Sequence, residues 1–244
     1  ACQAGRAVAT SCVQASLFAD ENGEDERIVN WTKAERWDDR KLYTLERDAF
    51  GFCLTGDMFD PYRVEARNFA IPFKDVRDSR EQQTIAGIVQ SVRTITGKRG
   101  NFGVVVLSDG QTTMDVLVFS RAYESYKHML KADEMLIFVG KGRKDERSGG
   151  MSFVCDEVLT IEQMRVRRGA LLSLEITEQA PLDAISRCLH EEPDGGNGKV
   201  HCEVSVISGG KKAEMFLSDC YAPSDHLLNK LKGLEAVISA KYAY

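Results

Sequence analysis

An α+β fold organised around a small five-stranded barrel is what this sequence of 244 residues predicts. Three observations carry the prediction. Five short segments between Thr84 and Val158 are rich in β-branched and apolar residues, the composition of a pleated, half-buried surface. A single stretch after the third of them changes to helical spacing. The section that holds them is also the only part of the chain with a positive balance of charge.

Residues 84–95 (TIAGIVQSVRTI), 102–109 (FGVVVLSD) and 113–119 (TMDVLVF) read as three strands. In 121–131 (RAYESYKHMLK), Tyr123, Tyr126, Met129 and Leu130 recur at helical positions. Residues 135–141 (MLIFVGK) and 151–158 (MSFVCDEV) are two further strands. Three strands, a helix and two strands is the element order of an OB barrel, whose loops between strands 1–2 and 4–5 flank a nucleic-acid groove. Here the first loop is read as Thr96–Asn101, with Lys98 and Arg99. The second runs from Lys141 through Arg143, Lys144 and Arg147 to Gly150. Arg93 leads into the first loop and Phe102 leaves it. Cations that track phosphate beside a ring that stacks on a base suit a single strand. Each loop taken alone reads first as a solvated turn. Two cationic loops at the two expected places point to nucleic-acid contact through Arg93, Lys98, Arg99, Lys141, Arg143, Lys144 and Arg147, with Phe102 as a stacking candidate that could instead point into the barrel.

Composition sets limits. With 43% hydrophobic and 28% charged residues the chain is globular. No apolar run reaches the length of a membrane span, and there is no signal peptide. The start at Ala1 reads as a fragment of something longer or a processed product. Seven cysteines, odd in number and without a CxxC pair, fit reduced cytosolic thiols and a cytoplasmic location. Four scattered histidines form no metal-ligand spacing, so neither a metal nor another cofactor is expected. The net charge of −5 argues against a generic nucleic-acid coat. Residues 1–80 hold 12 Lys/Arg against 15 Asp/Glu, residues 81–170 hold 13 against 11, and residues 171–244 hold 7 against 11. Nucleic-acid contact should therefore be local and sensitive to salt, and the acidic flanks suit protein partners.

Three domains follow: a helical segment with a linker over 1–80, the barrel over 81–161 and a last domain over 162–244. Residues 1–15 look like the end of a helix. Gln14, Leu17 and Phe18 then stand at the lip of an acidic linker, Asp20–Glu26, with no adjacent core for the two apolar side chains. Trp31 to Phe52 reads as mainly helix, opened by a Thr32/Glu35 capping box, with Leu42, Leu45, Ala49 and Phe52 on a core-facing stripe. Gly56 and Pro61 bracket a turn, and 63–80 is a charged connector. Beyond the barrel, Glu162–Arg168 is a short basic link. Strands at 170–176, 200–207, 213–218 and 236–243 and helices at 181–190 and 224–234 make a split βαβ arrangement. Leu227, Leu228, Leu231 and Leu234 form the apolar face of its last helix, which reads first as core.

In this order the pieces resemble the C-terminal part of the bacterial DNA polymerase III alpha subunit. QASLF (14–18) resembles that family's internal clamp-binding peptide. The stretch from Glu46 through GFCLTGD to Pro61-Tyr62 resembles its G-F-Y-L-T-G-H-P segment. KRGN (98–101), the run Leu107, Asp109, Val116, Val118, Phe119 and the Ser-Gly-Gly turn at 148–150 resemble its OB domain. APSDHLLNKLKGL (222–234) resembles the S-P-S-D-R-L-L segment of its tau-binding domain. Asp57-Met58 stands where the family has His-Pro, Cys53 where it has Tyr, and the final Lys241–Tyr244 does not resemble a second clamp-binding peptide. The resemblance implies a non-catalytic part of a DNA-directed DNA polymerase, a nucleotidyltransferase, acting in DNA replication. It implies single-stranded template DNA, the sliding clamp (through Gln14, Leu17 and Phe18) and the clamp-loader tau subunit (through Ser224, Asp225, Leu227, Leu228 and Leu231) as partners. The metal-holding carboxylates of the family's polymerase chemistry have no counterpart in this sequence. Three other readings stay open: a free-standing OB-fold protein that binds single-stranded nucleic acid, a purely structural interaction module, and an independent enzyme.

Overall fold

The computed structural model describes residues 37, 39–97, 100–144, 150–191 and 199–244. The expected barrel is present and closed. Strands β1 (Gln83–Gly97), β2 (Gly100–Ser108), β3 (Thr113–Val118), β4 (Met135–Lys144) and β5 (Met151–Thr160) close in the order β1-β2-β3-β5-β4. All neighbours are antiparallel except β3 and β5, which run parallel. The interior is filled by alternate residues such as Ile85, Val105, Leu107, Val116, Phe138 and Phe153, all fully buried. Bulges after Val89 in β1 and at Asp156 in β5 shift the alternation without opening the barrel, as bulges in barrels commonly do.

The strands outrun their predicted ends. Thr96 pairs with Asn101 and Gly97 with Gly100, so the first loop shrinks to the two residues between the glycines. Lys141 and Arg143 are strand residues of β4, paired with Val154 and Ser152, and do not belong to a loop. The helix after β3, α3, is shorter than expected. It spans Ser120–Tyr126, and Met129 and Leu130 pack against the barrel core from the turn beyond it.

Two helices precede the barrel, α1 (Asp39–Phe50) and α2 (Asp60–Ala66). The core stripe predicted for the first is corrected by the structure. Leu45, Ala49 and Phe52 are exposed, and Leu42 is partly buried. Tyr43 and Glu46 are the buried residues of α1. The cause is non-local: the chain beyond α1 folds back, and the Glu46 carboxylate accepts from the Leu54 and Thr55 amides and the Thr55 hydroxyl. The Thr55 amide first, and then the other two donors, hold this carboxyl below its usual range. The Thr32/Glu35 capping box lies outside the described residues. The connector 63–80 is also more than a link. It completes α2, buries Phe69, Phe73 and Val76, and forms a single 3₁₀ turn at Phe73–Asp75.

The basic link is a helix, α4 (Ile161–Arg168). Thr160 and Gln163 cap its start reciprocally, and Gly169 in the left-handed region ends it. A second sheet follows, built from β6 (Leu171–Thr177), β7 (Val200–Ser208), β8 (Lys211–Tyr221) and β9 (Val237–Ala243), in the order β8-β7-β6-β9. Helices α5 (Leu182–His190) and α6 (Asp225–Lys232) supply Ile185, Leu189, Leu227 and Leu231 to a core with Leu172, Leu174 and Ile176. The strand and helix order is the one expected. The parallel strands β6 and β7 are direct neighbours, however, with no strand between them. The unit is therefore a plain βαβ crossover extended by an antiparallel strand on each edge, not a split one.

Candidate nucleic-acid interface

Strand register decides which side chains share the outer face of the barrel. Arg93 of β1 lies opposite Val104 of β2, Val104 opposite Leu117 of β3, Leu117 opposite Val154 of β5, and Val154 opposite Lys141 of β4. Opposite residues in a sheet project to the same side. The fully buried core residues Val105, Leu107, Val116 and Phe153 alternate with these positions, so the row faces outward, although Val104 itself is covered and buried. One row away, Ser91, Val106, Asp115, Ser152 and Arg143 follow the same path. On the other side of the first row, Ile95 lies opposite Phe102. The Phe102 ring sits 5.7 Å from that of Phe119, tilted by 39°.

The outcome is a band that winds round the outside of the closed barrel, apolar over β2, β3 and β5 at Val104, Leu117 and Val154, with Arg93 at its β1 end and Lys141 and Arg143 at its β4 end. Arg93, Arg143 and Lys144 are exposed, and Lys141 is half-buried along its stem, as long cationic side chains often are. None of these four makes a hydrogen bond or ion pair through its side chain among the described residues. Their charges are therefore available to an anion. The Phe102/Phe119 pair occupies one end of the band, and Phe119 is 47% exposed. The two loops lie at opposite ends. Gly97 and Gly100 close one hairpin at the Phe102 end, and Lys144 and Met151 face each other at the Asp115 end.

The structure thus places Arg93, Phe102, Lys141 and Arg143 on the outer side of the barrel wall and Lys144 at the end of β4. It settles the direction of Phe102, which points outward, half-buried. Lys98, Arg99 and Arg147 lie outside the described residues, as do Gln14, Leu17 and Phe18. Phe119, Val104, Leu117 and Val154 had no assigned site role in the sequence. The signal was available only through register, because alternation within β2, β3 and β5 separates them from the core residues beside them. Tyr123 serves the barrel end instead, where its hydroxyl pairs with Thr94 Oγ1 at 2.6 Å over Gly103.

The residues expected to meet a partner in the last section are mostly engaged internally. Leu227 and Leu231 are fully buried and pack the core of this section. Leu228 is partly buried against the same core. Ser224 caps α6 by accepting from the Leu227 amide. Asp225 pairs with Arg165 Nη2 at 2.7 Å and accepts from the Tyr62 hydroxyl at 2.9 Å. Arg165 is itself 1% exposed. It donates through Nε and Nη2 to both Glu65 oxygens and through Nη1 to the Pro223 carbonyl, and it lies 4.0 Å over the Tyr242 ring. Burial opposes its charge, but the Glu65 hydrogen bonds and the Asp225 and Glu65 carboxylates outweigh that and raise its pKa. Burial, joined by the Asp225 charge and hydrogen bond, likewise pushes the Tyr62 phenol upward. The cluster is a structural clasp joining α2, α4, α6 and β9.

Among the described residues, no group of three His, Cys, Asp or Glu side chains is placed to hold a metal ion. No helix there is long and apolar enough to cross a membrane. Burial pushes the Cys155 and Cys202 thiols up to about 12, so they are protonated core residues.

Comparison with known proteins agrees with the barrel. Residues 83–161 match a family described as an OB-fold nucleic acid binding domain. The chain is 28% identical over 230 residues to the DNA polymerase III subunit alpha of Escherichia coli O157:H7, covering 91% of this chain and 20% of that protein. It is 31% identical over 170 residues to the same subunit of Neisseria meningitidis serogroup B, covering 68% of this chain and 15% of that protein. Among solved structures, RecG bound to a three-way DNA junction aligns at 24% identity over 36% of this chain and 12% of that one, with a TM-score of 0.31. The chain spans about one-fifth of the length of the curated relatives it matches. Over 91% of its own length, the OB-fold region included, it is similar to the bacterial DNA polymerase III alpha subunit.

Proposed function

We propose that this chain is a non-catalytic, C-terminal part of a replicative DNA polymerase alpha subunit and that its barrel holds single-stranded template. The observation that carries the reading is the outer band: Arg93, Lys141 and Arg143, unpaired among the described residues, stand at the two ends of an apolar row beside the Phe102/Phe119 pair. The cations meet phosphates, the strip accepts sugar and base edges, and the rings stack on a base. Stacking of this kind contributes about 1–3 kcal/mol per base and tolerates any sequence, which suits a template that varies. Similarity to the alpha subunit supports replication as the setting. The Gln14–Phe18 peptide tethers the polymerase to the sliding clamp, and the last sheet binds the tau subunit of the clamp loader. All of this takes place in the cytoplasm. Linked contacts raise effective concentration, so modest affinities together keep the enzyme at the fork.

The test is fluorescence anisotropy with labelled oligothymidylate. The Phe102→Ala/Phe119→Ala variant should bind about 10-fold or more weakly if each ring stacks on a base. Wild-type affinity in this variant, with the barrel intact by circular dichroism, would contradict stacking on this face.

A further inference from the structure

We propose a second nucleotide site, in the cleft between α2 and the foot of the barrel, which takes one base on its apolar floor and a phosphate between Arg67 and Lys74. The cleft has a volume of about 170 Å³. Its floor is apolar, made by Phe59, Ala66, Ile71 and Pro72, and its rim carries Arg63, Arg67 and Lys74. Arg63 is committed: its Nε and Nη2 both bond Asp60 Oδ1, and its guanidinium lies 5.6 Å over the Phe59 ring. Arg67 and Lys74 are exposed, and neither side chain makes a hydrogen bond or ion pair among the described residues. Asp109, the acid that lines the cleft, is occupied by its own turn, accepting from the Gln111 and Thr112 amides. The rim therefore keeps a positive balance in a chain whose net charge is −5.

Size and position narrow the ligand. Pockets that enclose a whole drug-sized molecule measure about 300–1,000 Å³. This one is smaller and accommodates a single ring-sized group, with a charged phosphate left at the mouth. An apolar floor under two cations that are unpaired among the described residues matches the two halves of a nucleotide: a π-faced base and an anionic phosphate. One short segment joins the cleft to the barrel wall. The segment after the Lys74 turn lies against β4, where Asp78 bridges to Gly142 and a Cβ at Gly142 would overlap the Arg77 carbonyl oxygen. Arg143 follows at once. Lys74 and β4 are thus linked through one short segment, and a strand long enough to run beyond the barrel reaches the cleft past Asp75 and Asp78. A nucleotide of that strand and a free mononucleotide present the same chemistry.

The test compares two double variants of the whole chain. Arg67→Glu/Lys74→Glu changes the cleft, and Arg93→Glu/Arg143→Glu changes the barrel face. One OB fold covers about 4–16 nucleotides, so oligothymidylates of about 8 and about 24 nucleotides separate the barrel face alone from the extended path. The cleft variant should bind the long strand about tenfold more weakly and the short one normally, whereas the barrel variant should weaken both. Thymidine 5′-monophosphate, followed by NMR, should shift the amide signals of Ala66, Ala70 and Ile71 in the wild type and not in the cleft variant. Shifts with the mononucleotide and unchanged strand binding would identify a free nucleotide as the occupant. Unmoved signals together with unchanged long-strand affinity in the cleft variant would overturn the site, and the barrel reading would stand or fall separately on its own variant.

Discussion

Arg165 shows what a single residue contributes and how little of it the sequence announces. It lies in Glu162–Arg168, which in sequence is a run of charge suited to solvent. In the structure Ile161, Met164 and Arg165 turn inward together, and the guanidinium is shared by Glu65, Asp225, the Pro223 carbonyl and the Tyr242 ring. Its partners all lie 58 or more positions away, so no local pattern could reveal them. Removing one member of a buried ion pair strands the other and typically costs about 3–5 kcal/mol. Arg165→Met should lower the urea midpoint by a corresponding amount. Arg165→Lys should recover little, because an ammonium cannot make the forked contact with Glu65. A midpoint unchanged in Arg165→Met would mean that the clasp contributes no stability. Leu45, Ala49 and Phe52 teach the converse lesson. Their spacing in the sequence is helical, but α1 ends at Phe50, short of Phe52, and Glu46 is claimed by the returning Leu54–Thr55 backbone, which fixes the inward face of α1 elsewhere.

At the scale of elements, the strands were legible because β-branched runs leave few alternatives, and the barrel order followed from the single helix among them. Their ends were not legible. Polar Thr96, Asn101, Arg143 and Lys144 continue the ladders, since backbone pairing does not depend on side-chain polarity. The cationic residues assigned to loops were therefore partly strand residues, with a defined outward direction that a loop would not give them. Beside the β5 bulge, β4 also leaves no room for a side chain at Gly140. A Cβ at Gly140 would overlap the Val154 carbonyl oxygen of the paired strand, so the position needs glycine for proximity rather than for a special φ. Gly140→Ala should destabilise the barrel by about 1–3 kcal/mol, the usual cost of overpacking. Hydrogen exchange at β4 and β5 should accelerate as a result. Unchanged protection there would show that the ladder relaxes freely. In the second sheet, register again supplied what order could not: adjacency of β6 and β7 is decided by which strands pair, and the sequence of elements is the same for both topologies.

For the whole molecule, the proposed function arranges three contacts along one chain: a clamp peptide near its start, a barrel for template and a last sheet for tau. The clamp contact has its own test. Pull-down by a purified bacterial sliding clamp should retain the wild-type chain and lose Leu17→Ala/Phe18→Ala, since each apolar side chain contributes about 1.5–3 kcal/mol when fully buried. Equal retention of both would remove the peptide from the account. The central claim is that the outer band of the barrel neutralises phosphates of a single strand, and salt dependence measures it most directly. Each neutralised phosphate adds about −0.7 to the slope of log affinity against log salt. For oligothymidylate, Arg93→Gln/Lys141→Gln/Arg143→Gln should bind more weakly than wild type, with a slope shallower by about 2. Coincident lines for the two proteins would contradict the account and leave the band a surface that no strand touches.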